Sequence, residues 1–406
     1  MSGLAFSERE IAFYQQRVAE DTASAADQAR LAGLYLQRAR ESGDYEDFRR
    51  AERAARRSLE LRDARNAGAM LALASSLLAQ HRFAEARAVA ITLCTLAPGE
   101  TRSLALRAEL ELEMGDYVAA QASFDSLAPA GRNLAVAPRL ARWSELRGDV
   151  ELARRILYEA LLEARHRTDL PSEQVAWFFL RVGDVELRSG RLDDAERALR
   201  AGLEVEPGDH RVLAALARVE ALRGRWPKVV ELGERIGNRA DIATLALVGD
   251  AHEELGNQTA AGRYHDAAEA AGRENPEPYN RQWTHFQLEH DRNLSPTLER
   301  LLEEIEGRRD VYGYDQLAWA LYKRGRFAEA REAMTMAMRL GTEDAVLSYH
   351  AGMIERALGN VERASDHLRR AIAINPFFHH RDAAVVRAVL DSLSGTPRGA
   401  TSPVRR

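Results

Sequence analysis

The chain has 406 residues, 46% hydrophobic and 29% charged, enough apolar surface for a sizeable core and too much for a disordered chain. Its 57 basic and 62 acidic residues leave a net charge of −5, which excludes nucleic-acid or anionic-membrane binding driven by bulk charge. A single cysteine, Cys94, rules out an internal disulfide and a cysteine-based zinc cage, and only 12 prolines argue for helix over turn-rich β structure. Only Lys228 and Lys323 are lysines, so nearly every cation is an arginine, suited to bidentate carboxylate contacts.

At the N-terminus a helix is expected over residues 7–19, with charges from position 8 and no apolar run of signal-peptide type. From residue 22 the chain repeats itself. Turn-type residues recur at Gly43, His81, Gly115, Gly148, Gly190, Gly224, Gly256, Asn293, Gly325 and Gly359, and six of the eight spacings after His81 lie within two residues of 34. Seven before the turn stand Ala74, Ala108, Ala141, Gly183, Ala217, Gly249, Phe286, Ala318 and Gly352; five after it stand Ala86, Ala120, Ala153, Ala195, Val229, Ala261, Leu298, Ala330 and Ala364. Most are small. Phe286 and Leu298, both flanking Asn293, depart from the pattern. Longer spacings place insertions near 166–171, with a possible joint at 165–172, and at 272–278. A C-terminal helix is expected within 377–393 and a disordered tail over 394–406.

Each unit thus holds two stretches of about a dozen residues with apolar spacing near 3.6, broken by a glycine turn, and this pattern describes a helical hairpin. Small residues at matched offsets let the paired helices approach closely. One hairpin cannot bury both of its faces, so each must stack on the next. The most apolar window, residues 68–79, is far short of a membrane span.

Segments 187–207, 317–340 and 349–376 (LRSGRLDDAERALRAGLEVEP, LAWALYKRGRFAEAREAMTMAMRL and YHAGMIERALGNVERASDHLRRAIAINP) resemble tetratricopeptide repeats. The resemblance implies an all-α fold, an α-solenoid wound as a right-handed superhelix of about ten repeats over 22–376, preceded by an N-terminal helix within 1–21. It further implies a concave face lined by the first helix of each unit, at positions thirteen, ten, nine, six and three before the turn. Those offsets supply an arginine-rich central stretch, Arg139, Arg142, Arg181, Arg211 and Arg218, interrupted by Glu145 and Asp184 and suited to carboxylates. In the last units they supply Trp283, Tyr312, Asp315, Trp319, Tyr322, Tyr349, His350 and Met353, an aromatic lining that serves either as a binding groove or as packing between repeats. The Lys and Asn clamp by which the co-chaperone members grip acidic tails has no counterpart here.

No phosphate-binding glycine loop, nucleophile elbow or His-Glu-x-x-His helix occurs. His252 and His265 sit at matching offsets of one hairpin and read as a packed pair, because no further ligand stands at a supporting spacing; His379 and His380 are adjacent and diverge on a helix. Cys94 reads as a small buried hydrophobe. The expectations are no catalytic residue, no metal and no cofactor, and a non-enzymatic scaffold that holds a peptide or partner subunit in its groove. The alternative is the regulatory arm of an enzyme whose catalytic part lies on another chain. The partner is expected to be protein rather than nucleic acid, without membrane insertion, and the location cytoplasmic or, if a leader has been removed, exported; the oligomeric state is left open.

Overall fold

The computed structural model describes residues 3–131, 133–274 and 279–394. Among them are 22 α-helices and no strand. Between α1 (Gly3–Glu20) and α22 (Asp382–Ser394) run ten consecutive hairpins. The first five are α2 (Ala25–Ser42) with α3 (Glu46–Leu61), α4 (Ala67–Ala79) with α5 (Phe83–Leu96), α6 (Thr101–Glu113) with α7 (Tyr117–Leu127), α8 (Ala137–Leu146) with α9 (Val150–His166), and α10 (Ser172–Arg188) with α11 (Leu192–Val205). The second five are α12 (His210–Leu222) with α13 (Trp226–Ile236), α14 (Ile242–Glu254) with α15 (Gln258–Glu274), α16 (Arg281–Glu289) with α17 (Leu294–Gly307), α18 (Val311–Lys323) with α19 (Phe327–Ala337), and α20 (Ala345–Ala357) with α21 (Val361–Ile374). Of the tail expected at 394–406, Ser394 closes α22 and residues 395–406 lie outside the described residues, as does the middle of the insertion, 275–278.

The turns form for one reason throughout. Every turn residue expected from the sequence has a positive φ, from 48° at Asn293 to 80° at Gly359. In nine hairpins the amide just past the turn donates back to the carbonyl four before it, at 2.8–2.9 Å, satisfying a carbonyl orphaned by the helix end. The eighth hairpin corrects the expected register. Its closing bond runs from Arg292 N–H to the Gln287 carbonyl, so the turn proper is Asp291 (φ 52°), not Asn293. From Gly256 to Asp291 is 35 residues and from Asp291 to Gly325 is 34, so the period is restored. Thr284 then takes the small position seven before the turn and Thr297, one extra residue along, the one after it; both are buried, and Phe286 and Leu298 were misplaced by the wrong origin.

The small residues are where the helices of a hairpin touch. Three of them are glycines that face a larger side chain from the second helix. A Cβ on Gly183 would stand 2.6 Å from Leu199, on Gly249 2.3 Å from His265, and on Gly352 2.7 Å from Leu368. Between α9 and α10, the expected joint is crossed by one apolar cluster that contains Leu161 and Ala164 on one side and Val175, Phe178 and Phe179 on the other.

After five to six units the coil returns onto itself. The loop before α18 docks on the third turn: Arg309 N–H donates to the Met114 carbonyl at 3.1 Å, Val311 N–H to the Tyr117 hydroxyl at 2.8 Å, and Arg308 reaches Glu113. One unit later Thr342 Oγ1 donates to the Leu146 carbonyl at 2.5 Å, and a further unit on Asn375 Nδ2 donates to the Leu187 carbonyl at 3.0 Å. The three turns contacted this way approach backbone or a buried side chain so closely that only glycine fits: a Cβ would meet Arg309 O at 2.3 Å from Gly115, Gly341 O at 2.7 Å from Gly148, and Asn375 Oδ1 at 2.8 Å from Gly190.

Candidate binding cavity

Closure turns the concave faces inward around a cavity of about 330 Å³. Its wall comes from the first helices of five hairpins, α10, α12, α14, α16 and α20, and from the 375–381 segment that leads into α22. Leu222, Ala243, Ala246, Leu247, Phe286, Val346 and Phe378 are its apolar lining; Arg188, Arg218, Asp250, His285, Glu289 and Arg381 are its charged and polar groups. One of the offsets expected to face inward recurs in its lining. Arg218, Asp250 and, once the turn is set at Asp291, His285 all stand six before their turns.

Of the arginines expected to bind carboxylates, all five already hold one from this chain. Arg139 pairs with Glu109 at 2.6 Å, Arg211 with Asp209 and Glu173 at 2.6 and 2.8 Å, and Arg218 with Asp184 at 2.8 Å. Arg181 lies 3.5 Å from Asp184, and Arg142 lies 3.8 Å from Glu145 with its guanidinium over the Tyr312 ring. Of the five, only Arg218 reaches the cavity, and its side chain is half exposed.

The expected aromatic lining is mostly consumed by packing. Trp319 stacks on Tyr322 at 4.6 Å and on His350 at 4.1 Å, Tyr349 packs on Phe378 at 5.4 Å, and Trp319, Tyr349 and Met353 are buried within one core cluster. Trp283 turns to a different face than its expected offset implied: its ring covers Gly272 and carries the Arg300 guanidinium. Asp315 is buried and spent on His350, whose Nδ1 lies 2.7 Å from its Oδ1. Burial alone would lower the pKa of this imidazole, but Asp315 outweighs it and the net shift is upward. A raised folded pKa contributes stability that is full below the unfolded value of about 6.5 and is lost as pH rises through the folded one. His379 shifts in the same direction, whereas His210, His285 and His367 are lowered and act oppositely. The wild type is therefore expected to exceed His350→Gln in melting temperature by more at pH 5.5 than at pH 8.5; an equal gap at both values would show that the pair is neutral.

Asp250 is the centre of the charged groups. His265 Nε2 lies 3.2 Å and His290 Nε2 2.9 Å from its Oδ1, Arg381 2.7 Å from the same oxygen, and His380 Nε2 3.4 Å from Oδ2. Burial would raise this carboxyl, but the imidazoles of His265 and His290 hold it well below the usual carboxylate range. His285 is exposed on the cavity wall, and the protein around it pushes its pKa down. His252, expected to pair with His265, instead stacks on Tyr264 at 5.4 Å. Gln282 and His285 escaped sequence reasoning because the eighth turn was set two residues late, and the 34-residue period itself is the signal that restores them; His290, one before the turn, stands at none of the inward offsets.

The architecture is that of an α-solenoid of helical hairpins. The tetratricopeptide repeat family matches residues 36–101, 176–219 and 316–377. These stretches are tetratricopeptide repeats, a repeat class that generally mediates protein–protein interaction. No curated protein matches it. Among solved structures it is similar to the Cut9–Hcn1 hetero-tetramer of the APC/C, at 13% identity over 97% of this chain and 96% of that one, TM-score 0.36. It is also similar to a tetratricopeptide repeat protein of Parabacteroides merdae (17%, 64% and 98%, TM-score 0.38) and to the type IV pilus biogenesis factor PilW (20%, 54% and 98%, TM-score 0.42). Among the described residues no helix is long and apolar enough to cross a membrane.

Proposed function

We propose that the chain is a non-enzymatic scaffold and that the central cavity receives a short segment of a protein partner, one apolar side chain with a carboxylate beside it. The observation that carries this reading is the mixed lining. Ala243 and Leu247 share with Arg218 and Arg188 a cavity at the lower end of the range for ligand sites, enough for a few side chains and too small for a helix. The apolar lining supplies the anchor, and half-exposed Arg218, reached by exchange with Asp184, supplies orientation. The aromatics of the last units pack between repeats, and the proposed binding surface uses other residues than the groove expected from sequence.

The test is selection from a displayed random-peptide library on the full chain, followed by affinity measurements on two variants. Ala243 is exposed on the cavity wall, so Ala243→Trp plugs the space without touching the core. Arg218→Glu reverses the orienting charge. Each is expected to weaken the selected peptides by about tenfold or more, a typical loss on removing an anchor, at unchanged melting temperature. Peptides that bind both variants as well as wild type would place recognition elsewhere.

A further inference from the structure

We propose that Asp250, His265, His290 and His380 form a binding site for a single zinc-class divalent cation, which ties α22 to the seventh and eighth hairpins. This inference does not depend on the peptide reading. The four donors come from four separate segments: α14, α15, the end of α16 and the 375–381 segment. Tetrahedral zinc, with bonds of about 2.0–2.1 Å to nitrogen and oxygen, sets its donors roughly 3.3 Å apart. The Asp250, His265 and His290 ligand atoms all lie within 4.8 Å of one another, with the two imidazole Nε2 atoms 3.2 and 2.9 Å from Asp250 Oδ1; His380 Nε2 stands outside that trio, 3.4 Å from Asp250 Oδ2, and must swing inward to complete the set.

The surroundings of two of the rings fit a cation. His290 Nδ1 lies 3.0 Å from the Phe286 carbonyl, a contact that needs an N–H there and leaves Nε2 free to ligate. A ring whose other nitrogen donates to a backbone carbonyl is the usual arrangement of a metal-ligating histidine. His380 adds an independent observation. Its side chain is 93% buried, taken as the complement of its 7% exposure, and its Nε2, aimed at Asp250, makes no hydrogen bond. The groups facing Asp250 are the three imidazoles and the Arg381 guanidinium, with Glu253 on its own helix as the other partner of Arg381 at 3.0 Å. With a divalent cation between Asp250 and the imidazoles, each ring would turn the lone pair of Nε2 toward the cation rather than an N–H toward the carboxylate. Arg381, one-third exposed, can then turn fully to Glu253.

The experiment uses the full chain stripped with chelator and titrated with zinc chloride by calorimetry, with cobalt(II) chloride as the visible-absorption probe of tetrahedral geometry. One equivalent is expected to bind with a rise in melting temperature. The Trp226 ring, edge-on to His380 at 5.5 Å, is expected to change fluorescence with the same stoichiometry. His290→Gln and His380→Gln should each weaken binding by more than about tenfold, the scale at which even outer-shell partners act, whereas the control His252→Gln should not. Arg381→Gln removes a competing cation and should tighten binding, an outcome that a purely structural ion-pair cluster does not give. His380 lies outside every helix, so it decides the matter if His290→Gln fails to fold by circular dichroism. No uptake by the wild type, or equal uptake by wild type and His380→Gln, overturns the site.

Discussion

Gly115→Ala is expected to open the coil, and Gly224→Ala is not. Both glycines are left-handed, at 75° and 68°, so alanine costs each about 1–2 kcal/mol of backbone strain. Around Gly224 there is nothing for a methyl group to meet, and the cost ends there. At Gly115 the added carbon would lie 2.3 Å from Arg309 O and 2.8 Å from Asp310 N, both backbone atoms that cannot rotate away. The loop must retreat, and with it go the Arg309 to Met114 and Val311 to Tyr117 hydrogen bonds. An additional loss of about 1–3 kcal/mol is therefore expected for Gly115→Ala, the usual scale of overpacking. Because the loss acts between units that are distant in sequence, it should appear as a larger radius of gyration in small-angle scattering with helix content retained. Indistinguishable scattering and melting for the two variants would mean that the return contact contributes nothing in solution.

Asp310→Ala is expected to be the most damaging single change at the same seam. The carboxylate is buried, pairs with Arg281 and with Arg308 at 3.0 Å, and caps α18 by accepting from Tyr312 N–H at 2.9 Å and Gly313 N–H at 3.2 Å. Burial would raise its pKa, but Arg281 and Arg308 keep it below the usual range. Removing one member of a buried ion cluster typically costs about 3–5 kcal/mol because the remaining charges stay buried without their partner. Loss of a helix cap adds about 1 kcal/mol. Asp310→Asn retains an acceptor for the cap and discards the charge, so it should fall between wild type and Asp310→Ala in urea unfolding. A cost below about 1 kcal/mol for Asp310→Ala would show that water screens the cluster, as it does for surface ion pairs.

Ten hairpins, their order and the positions of their turns were legible in the sequence because each is specified locally. A glycine or its substitute adopts positive φ, a small residue lies where two helices of one hairpin touch, and an apolar stripe marks the face that meets the next unit. The one register error, Asn293 for Asp291, arose where two residues in succession adopt left-handed geometry within three positions and an extra residue enters the second helix. Neighbouring pairs such as Arg218 with Asp184 follow from the same one-unit offset. What the sequence could not determine is where the coil meets itself. Each unit is rotated slightly from the last, and five or six such rotations must accumulate before Arg308 finds Glu113, 195 residues away, or Asn375 finds Leu187, 188 away. Small angular differences add over that distance, and no local pattern records their sum. The cavity and the arrival of His380 and Arg381 at Asp250 depend on that sum. They are therefore properties of the closed tertiary structure, built from side chains whose own positions in each repeat were already fixed by the period.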